Sequence, residues 1–207
     1  MNEIRNKLIK IVGLGLVSYI LNTPVAIASA VTINFDNINA PSGFNNQTPL
    51  TEEYASMGVH FNGTGEVLNS GANFGGVPLS LPFSAPNFLA FNNSVGAFPP
   101  ETISFDFLAD SFSLDFAGSS GTISLSGFLG ATLVDTVSTA VTFNTWNSLT
   151  LAGGSYDKII FDVSSTDGGF VVDNVAINAI PIPATVWLFY SALLGLWGFK
   201  RKTGKEY

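Results

Sequence analysis

The fold is decided by one stretch, Thr102-Ile103-Ser104-Phe105-Asp106-Phe107-Leu108-Ala109-Asp110-Ser111-Phe112-Ser113-Leu114-Asp115-Phe116. Ile103, Phe105 and Phe107 alternate with Ser and Asp, and Phe112, Leu114 and Phe116 do the same further on. A period of two puts every second side chain on one face of a strand, so each half has an apolar front and a polar back. Leu108-Ala109-Asp110 between them is of loop length, and the pair reads as a β-hairpin.

Working outward, similar short runs occupy 31–37, 57–62, 87–91, 121–129, 132–138, 141–151, 157–163 and 169–178, divided by clusters of Gly, Asn, Pro and Ser. No segment of ten or more residues in this middle part carries a helical stripe. Some ten strands at such spacing predict an all-β domain, an antiparallel β-sandwich of jelly-roll type. The sixteen phenylalanines between 31 and 180 can fill its core, each burying about 150–250 Å². Pro41 to Pro100 is richest in Gly, Pro and Asn and should hold the longest loops.

Charge is sparse and segregated. Only 11% of the 207 residues are charged, and seven of the eight Lys and Arg lie in the first ten or last eight positions. Lys158 alone stands against thirteen Asp and Glu between Val31 and Ile180, a formal charge of −12. Such a surface repels polyanions, so nucleic acid is excluded as a partner. The chain has no cysteine, hence no disulfide, thiolate nucleophile or Cys-ligated metal. With a single histidine, any Ser-His-acid triad must use His60, which alternation with Val59 and Phe61 turns toward solvent. Glu52, Glu53, Glu66 and Glu101 are formally available for glycosidic cleavage, but no spacing singles out a pair, and the expectation is that this is not an enzyme.

The ends read as addresses. Residues 1–30 hold a basic start, an apolar run from Ile11 to Leu21 and small residues at Ala26, Ala28 and Ala30, the pattern of a secretory signal peptide. Cleavage fits Ala26-Ile27-Ala28 or Ala28-Ser29-Ala30, and the second is favoured because a strand pattern begins at Val31. Residues 31–179 form the acidic domain, and 180–207 begin with twenty uncharged residues ending at Phe199. Pro181 and Pro183 confine a helix to about 184–199, at the short limit for a transmembrane span. The basic tail 200–207 stays cytoplasmic by the positive-inside rule, which places the domain outside.

Pro181-Ile182-Pro183-Ala184, the apolar helix and Lys200-Arg201-Lys202 together resemble PEP-CTERM sorting signals, in the variant with Pro-Ile-Pro-Ala. Ile182 stands where that family more often has glutamate; hydropathy alone would equally describe a single-pass tail anchor. The resemblance implies export by the general secretory machinery, removal of the leader by signal peptidase, and transient anchoring in the inner membrane. Processing by an exosortase-type transpeptidase near Pro181 to Ala184 would follow, with delivery to the cell surface and association with exopolysaccharide.

Residues 32 to 178 are similar to galactose-binding-like and carbohydrate-binding-module jelly rolls, at Phe35-Asp36-Asn37, Gly58-Val59-His60-Phe61, Asn87-Phe88-Leu89-Ala90-Phe91 and Phe170-Val171-Val172-Asp173-Asn174-Val175. Alternation sets Asp173 with Val171, Val175 and Ile177 on the core face. A buried carboxylate needs a partner: either it caps backbone amides at a bulge, or it meets a cation. The resemblance implies a structural calcium between first and last strands, with Asp36 and Asp173 as ligands and Glu52 or Glu53 as further ones. Trp146, the one tryptophan outside the sorting segment, either stacks on a sugar ring or packs under a loop. The function expected is a non-enzymatic surface or matrix protein, the alternative a specific glycan-binding module.

Overall fold

The computed structural model describes residues 30–44, 49–72, 84–92, 99–164, 169–181, 189 and 191–193. Ala28–Ile180 makes one compact unit, and the two chain ends make a second. Among the described residues no helix is long and apolar enough to cross a membrane. The signal segment up to residue 29 and most of the helix expected at 184–199 lie outside the described residues, although Phe189 and residues 191–193 are helical.

The described residues of the first unit form nine strands: β1 (Ala30–Ile33), β2 (Val59–Phe61), β3 (Glu66–Asn69), β4 (Asn87–Asn92), β5 (Glu101–Gly118), β6 (Thr122–Leu129), β7 (Thr132–Ala140), β8 (Asn147–Ser164) and β9 (Gly169–Ala179). A 3-10 turn, Ala55–Met57, precedes β2. Every strand pair is antiparallel, in the order β3-β4-β9-β5-β8-β6-β7, with β1 added to β9 and β2 to β5.

The deciding stretch is not a hairpin. It is one strand of 18 residues, β5, and β8 likewise runs unbroken for 18 residues from Asn147 to Ser164, joining the latter part of the segment expected at 141–151 to the one expected at 157–163, while 141–146 lie in a loop. Residues 101–105 of β5 pair with β2 and with the end of β8, whereas 109–118 pair with the start of β8 and with β9. Between them the register shifts twice, at Ser104/Ala109 and Ala109/Ser111. These irregularities change the buried set from odd residues, Ile103 and Phe105, to even ones, Phe112, Leu114 and Phe116. A three-residue hairpin loop wants Gly or Asn at a left-handed position, and Leu108-Ala109-Asp110 offers neither. The chain therefore bends through irregular pairing and keeps its hydrogen bonds instead of reversing.

The bend makes two layers from one hydrogen-bonded sheet. The first layer holds β2, the start of β5, the end of β8, β6 and β7; the second holds the start of β8, the end of β5, β9, β4, β3 and β1. Phe105 stacks on Phe112 across the bend, ring centres 6.3 Å apart. Phe91 of β4 meets Phe161 of β8 edge-on at 5.2 Å although those strands are not neighbours, so the two layers face each other over a shared core. Burying side chains of this size is the principal stabilising term. Tyr156 fills the bend of β8: a Cβ on Gly127 or Gly154 would lie 2.4 Å from its ring.

The segment 41–100 holds β2, β3 and β4 within its loops. β3 gave no signal in the sequence because it is four residues long and both Val67 and Leu68 are buried, which erases alternation.

Candidate functional site

The outward face of the second layer is assembled in rows by the strand register. Ala90, Val171 and Ala117 lie in one row. Asp173, Asp115 and Ser148 form the next. Thr32, Ala176, Ser113 and Thr150 follow, then Ala30, Asn178, Ser111 and Ala152. Alternation on β5 and β8 sends the phenylalanines and leucines inward and leaves this face Ser, Thr, Asp and Ala.

Its first row is covered. Val171, Ala117 and Ala90 join Leu68 and Phe88 in a second apolar cluster, separate from the main core, and Trp146 packs half-buried against it. Phe143 in the same loop, bridged to Gly118, is 56% exposed. The following rows reach solvent: Ser148, Thr150, Ala152, Thr32 and Asn178 are exposed, and Ser111, Ser113, Asp115 and Asn174 are half-buried. Their side chains are already oriented. The Asp115 carboxylate accepts from the Ser148 hydroxyl and, at 3.2 Å, from the Asn174 amide, and the Asn178 amide donates to Ser111 Oγ at 2.7 Å.

Asp173 corrects the expected strand phase. β9 carries a bulge at Asn174, whose φ is +46°, so that Asp115 pairs with Asp173 but Ser113 with Ala176. Val171 and Asp173 therefore share the outward face, while Val175 and Ile177 enter the main core. Asn tolerates a left-handed backbone better than most residues. Asp173 is nonetheless fully buried, and its carboxylate accepts the backbone amides of Ser84 at 2.6 Å and Asn174 at 2.8 Å, with the Ser84 hydroxyl at 3.1 Å. Burial pushes its pKa up to about 6, against the pull of those amides, and the Asp36 charge adds to the rise.

Each of the four residues expected around calcium is hydrogen-bonded to another group. Asp36 is close enough to act on Asp173, but its oxygens accept the Asn87 amide at 3.0 Å and the Asn34 side chain at 2.7 Å. Glu52 binds His60 Nδ1 at 2.6 Å, and Glu53 accepts the Thr51 amide at 2.7 Å. Among the described residues no group of three or more His, Asp or Glu is arranged to hold a metal ion. Asp36 and Asp173 both already accept amide hydrogen bonds, whereas calcium takes about six to eight oxygens. Asn87, which sequence reasoning left unassigned, carries more of the local structure: its side chain donates to the Phe35 and Ile38 carbonyls and fixes the turn after β1.

His60 lies between two carboxylates, Glu52 at 2.6 Å and Asp106 at 3.3 Å. The Glu52 hydrogen bond first, then that of Asp106, raises its pKa above the ordinary value. Glu66 and Glu101 are buried. Glu101 fills a nest of amides in the Asn62–Gly65 loop, accepting from Asn62 at 2.9 Å and Gly65 at 2.8 Å. Burial pushes its pKa up to about 7, and the amides only partly offset this. A carboxylate so enclosed has no access to a sugar and a water.

Of the processing residues, Pro181 is described and exposed, Ala30 opens β1 opposite Asn178, and Ala28 and Ile182 to Ala184 lie outside the described residues.

No family matches the chain, and no curated protein matches it. Among solved structures, one similar to it is the family 61 carbohydrate-binding module TmCBM61, solved with β-1,4-galactotriose: 12% identity, TM-score 0.44, covering 65% of this chain and 99% of that one. A second is the C-terminal family 22 module of Clostridium thermocellum Xyn10B, at 19% identity and TM-score 0.39, covering 64% and 92%. A family 6 carbohydrate-binding module shares 17% identity at TM-score 0.37, covering 76% and 100%.

Proposed function

We propose that the β-sandwich is a non-catalytic module that binds neutral glycan through the outward face of its second layer, carried by an exported, surface-sorted protein. The observation that carries this reading is the face itself, not the likeness to solved structures. Hydroxyls, amides and one half-buried carboxylate stand in register on rigid strands, with the indole of Trp146 at their end. Fixed polar groups beside an aromatic surface are what a sugar requires, since its hydroxyls hydrogen-bond at the edge while its C–H face packs on a ring. The domain charge of −12 and a lone Lys158, held over the Phe128 ring at 4.8 Å, argue against uronic-acid polymers.

Calorimetric titration of the full chain with neutral oligosaccharides tests this, beside the Trp146→Ala variant. Heat of binding that survives in the wild type and vanishes in the variant is the expected result. Binding of equal strength in both overturns the role of the face.

Export and sorting complete the proposal, and the chain ends support them: the basic-apolar-small leader, Pro181-Ile182-Pro183-Ala184, and the tail Lys200-Arg201-Lys202. Transient anchoring in the inner membrane, processing by an exosortase and association with exopolysaccharide belong to the same reading. Replacing Pro181 and Pro183 by Ala should leave membrane insertion intact and abolish the size shift of processing; a persistent shift refutes it.

A further inference from the structure

Asn62-Gly63 is the only Asn-Gly pair in the chain, and it lies in the loop between β2 and β3, on the amide nest that Glu101 fills. A glycine after asparagine leaves its nitrogen unshielded for attack on the asparagine side-chain carbon. The loop turns the side chain back toward that nitrogen: Asn62 Oδ1 accepts Thr64 N at 3.4 Å and Thr64 Oγ1 at 3.0 Å. Thr64 Oγ1 also lies 3.3 Å from the Pro100 carbonyl, which accepts Asn62 Nδ2 at 3.1 Å. Against the same loop stands the buried Glu101 carboxylate, and the groups set against it are the amides of Asn62, Gly63, Thr64 and Gly65.

We infer that Asn62-Gly63 is a self-modification site, at which the Gly63 nitrogen closes on Asn62 Cγ to form a succinimide, served by Glu101 and Thr64. The N–Cγ bond forms as the Gly63 N–H proton passes to the Glu101 carboxylate. Thr64 Oγ1 donates to the oxygen that becomes negative at that point, as an oxyanion donor does. The Cγ–Nδ2 bond then breaks, and the proton leaves with Nδ2 as ammonia. Asn62 is exposed, so bulk water opens the ring at either carbonyl and gives aspartate or isoaspartate at position 62. In sum, a side-chain amide and water become a carboxylate and ammonia. A base whose pKa is raised to about 7 suits the proton transfer near neutral pH.

The chain holds its own comparison. Asn69 makes the same turn, its Oδ1 accepting Gly71 N at 2.9 Å, but Ser70 follows it and its Nδ2 is tied to the Ala40 carbonyl at 2.8 Å. Conversion at position 62 has a structural consequence as well. A carboxylate cannot donate to the Pro100 carbonyl, and its charge stands beside Glu101, so the modified loop loses a tie to the start of β5.

Full-length protein is incubated at neutral pH, folded or in urea, then digested and mapped by mass spectrometry over weeks. The expected result is loss of ammonia, then aspartate and isoaspartate, at Asn62 well before Asn69, and faster in the folded chain than in urea. Glu101→Gln should slow the folded rate by about a hundredfold, the lower range for a positioned base. The folded wild-type rate should also level off above about pH 7 as Glu101 ionises, a profile that loosening of the loop alone would not produce, whereas the rate in urea keeps climbing with hydroxide. Circular dichroism verifies that each variant is folded; should Glu101→Gln not fold, Thr64→Val takes its place, with a slower folded rate expected. An Asn62 that survives in the folded chain and converts only in urea overturns the inference. So does a wild-type rate in a folded Glu101→Gln or Thr64→Val chain.

Discussion

Glu101 offers a measurement with a definite sign. It is buried in the amide nest of Asn62 and Gly65, and its pKa rises from 4.5 to about 7. Between those values the folded chain holds a proton that the unfolded chain has released, so stability falls as pH rises. The contribution is complete below pH 4.5 and is lost as pH climbs through about 7. A rise of this size corresponds to ~3 kcal/mol at about 1.4 kcal/mol per pKa unit, and at about 2–4 °C per kcal/mol for a domain of this length the melting temperature should move by roughly 6–12 °C. Glu101→Gln keeps the shape and cannot ionise. Its melting temperature should trail the wild type at pH 4.5 and gain on it steadily to pH 8, in calorimetric scans of both proteins at half-unit steps. Asp173, raised to about 6, and His60 act in the same direction and persist in the variant, so the difference between the two curves isolates Glu101. A difference independent of pH would show that the nest does not hold a protonated acid.

Other substitutions probe the bend and the bulge. Gly127→Ala drives a methyl into the Tyr156 ring and should cost about 1–3 kcal/mol in urea unfolding; a Tyr156→Leu background should remove most of that penalty. The buried Tyr156 hydroxyl has no hydrogen-bond partner among the described residues, so Tyr156→Phe should leave stability unchanged or raise it by up to about 1–3 kcal/mol, and a clear loss would reveal a hidden partner. Asn174→Ala at φ +46° should destabilise by about 1–2 kcal/mol, with Asn174→Gly losing less. A chelator should not move the melting temperature, because Asp36 and Asp173 are satisfied by amide and side-chain donors; a drop of several degrees would mean that calcium holds β1 to β9.

The alternation that named the strands survives in the structure because it reports burial, and burial is local. Ile103, Phe105, Phe112, Leu114 and Phe116 are all in the core. What alternation cannot report is connectivity. A change of phase looks the same whether the chain reverses or kinks, and only the missing Gly or Asn at Leu108-Ala109-Asp110 distinguished the two. The segments expected at 141–151 and 157–163 show the same ambiguity: Gly153, at φ +93° between them, sits within β8 near its register shift.

The candidate face was harder to see because it depends on a bulge. With β9 in strict alternation, Asp173 belongs beside Val175 and Ile177 and demands a cation. One extra residue at Asn174 moves it to the opposite face, where Ser84, brought in from 89 residues away, supplies an amide and a hydroxyl. The same extra residue carries the Asn174 amide to Asp115 and so completes the polar row. A carboxylate that looked like half of a metal site is thus part of the support for a polar face. Asp173 is satisfied by the Ser84 and Asn174 amides, and the proposed glycan site then consists of Asp115, Ser148, Asn174 and Asn178. If that division holds, Asp173→Asn should weaken the fold more than glycan binding per folded molecule, and Asp115→Asn should do the reverse. Equal loss of both in either variant would place the two carboxylates in one site.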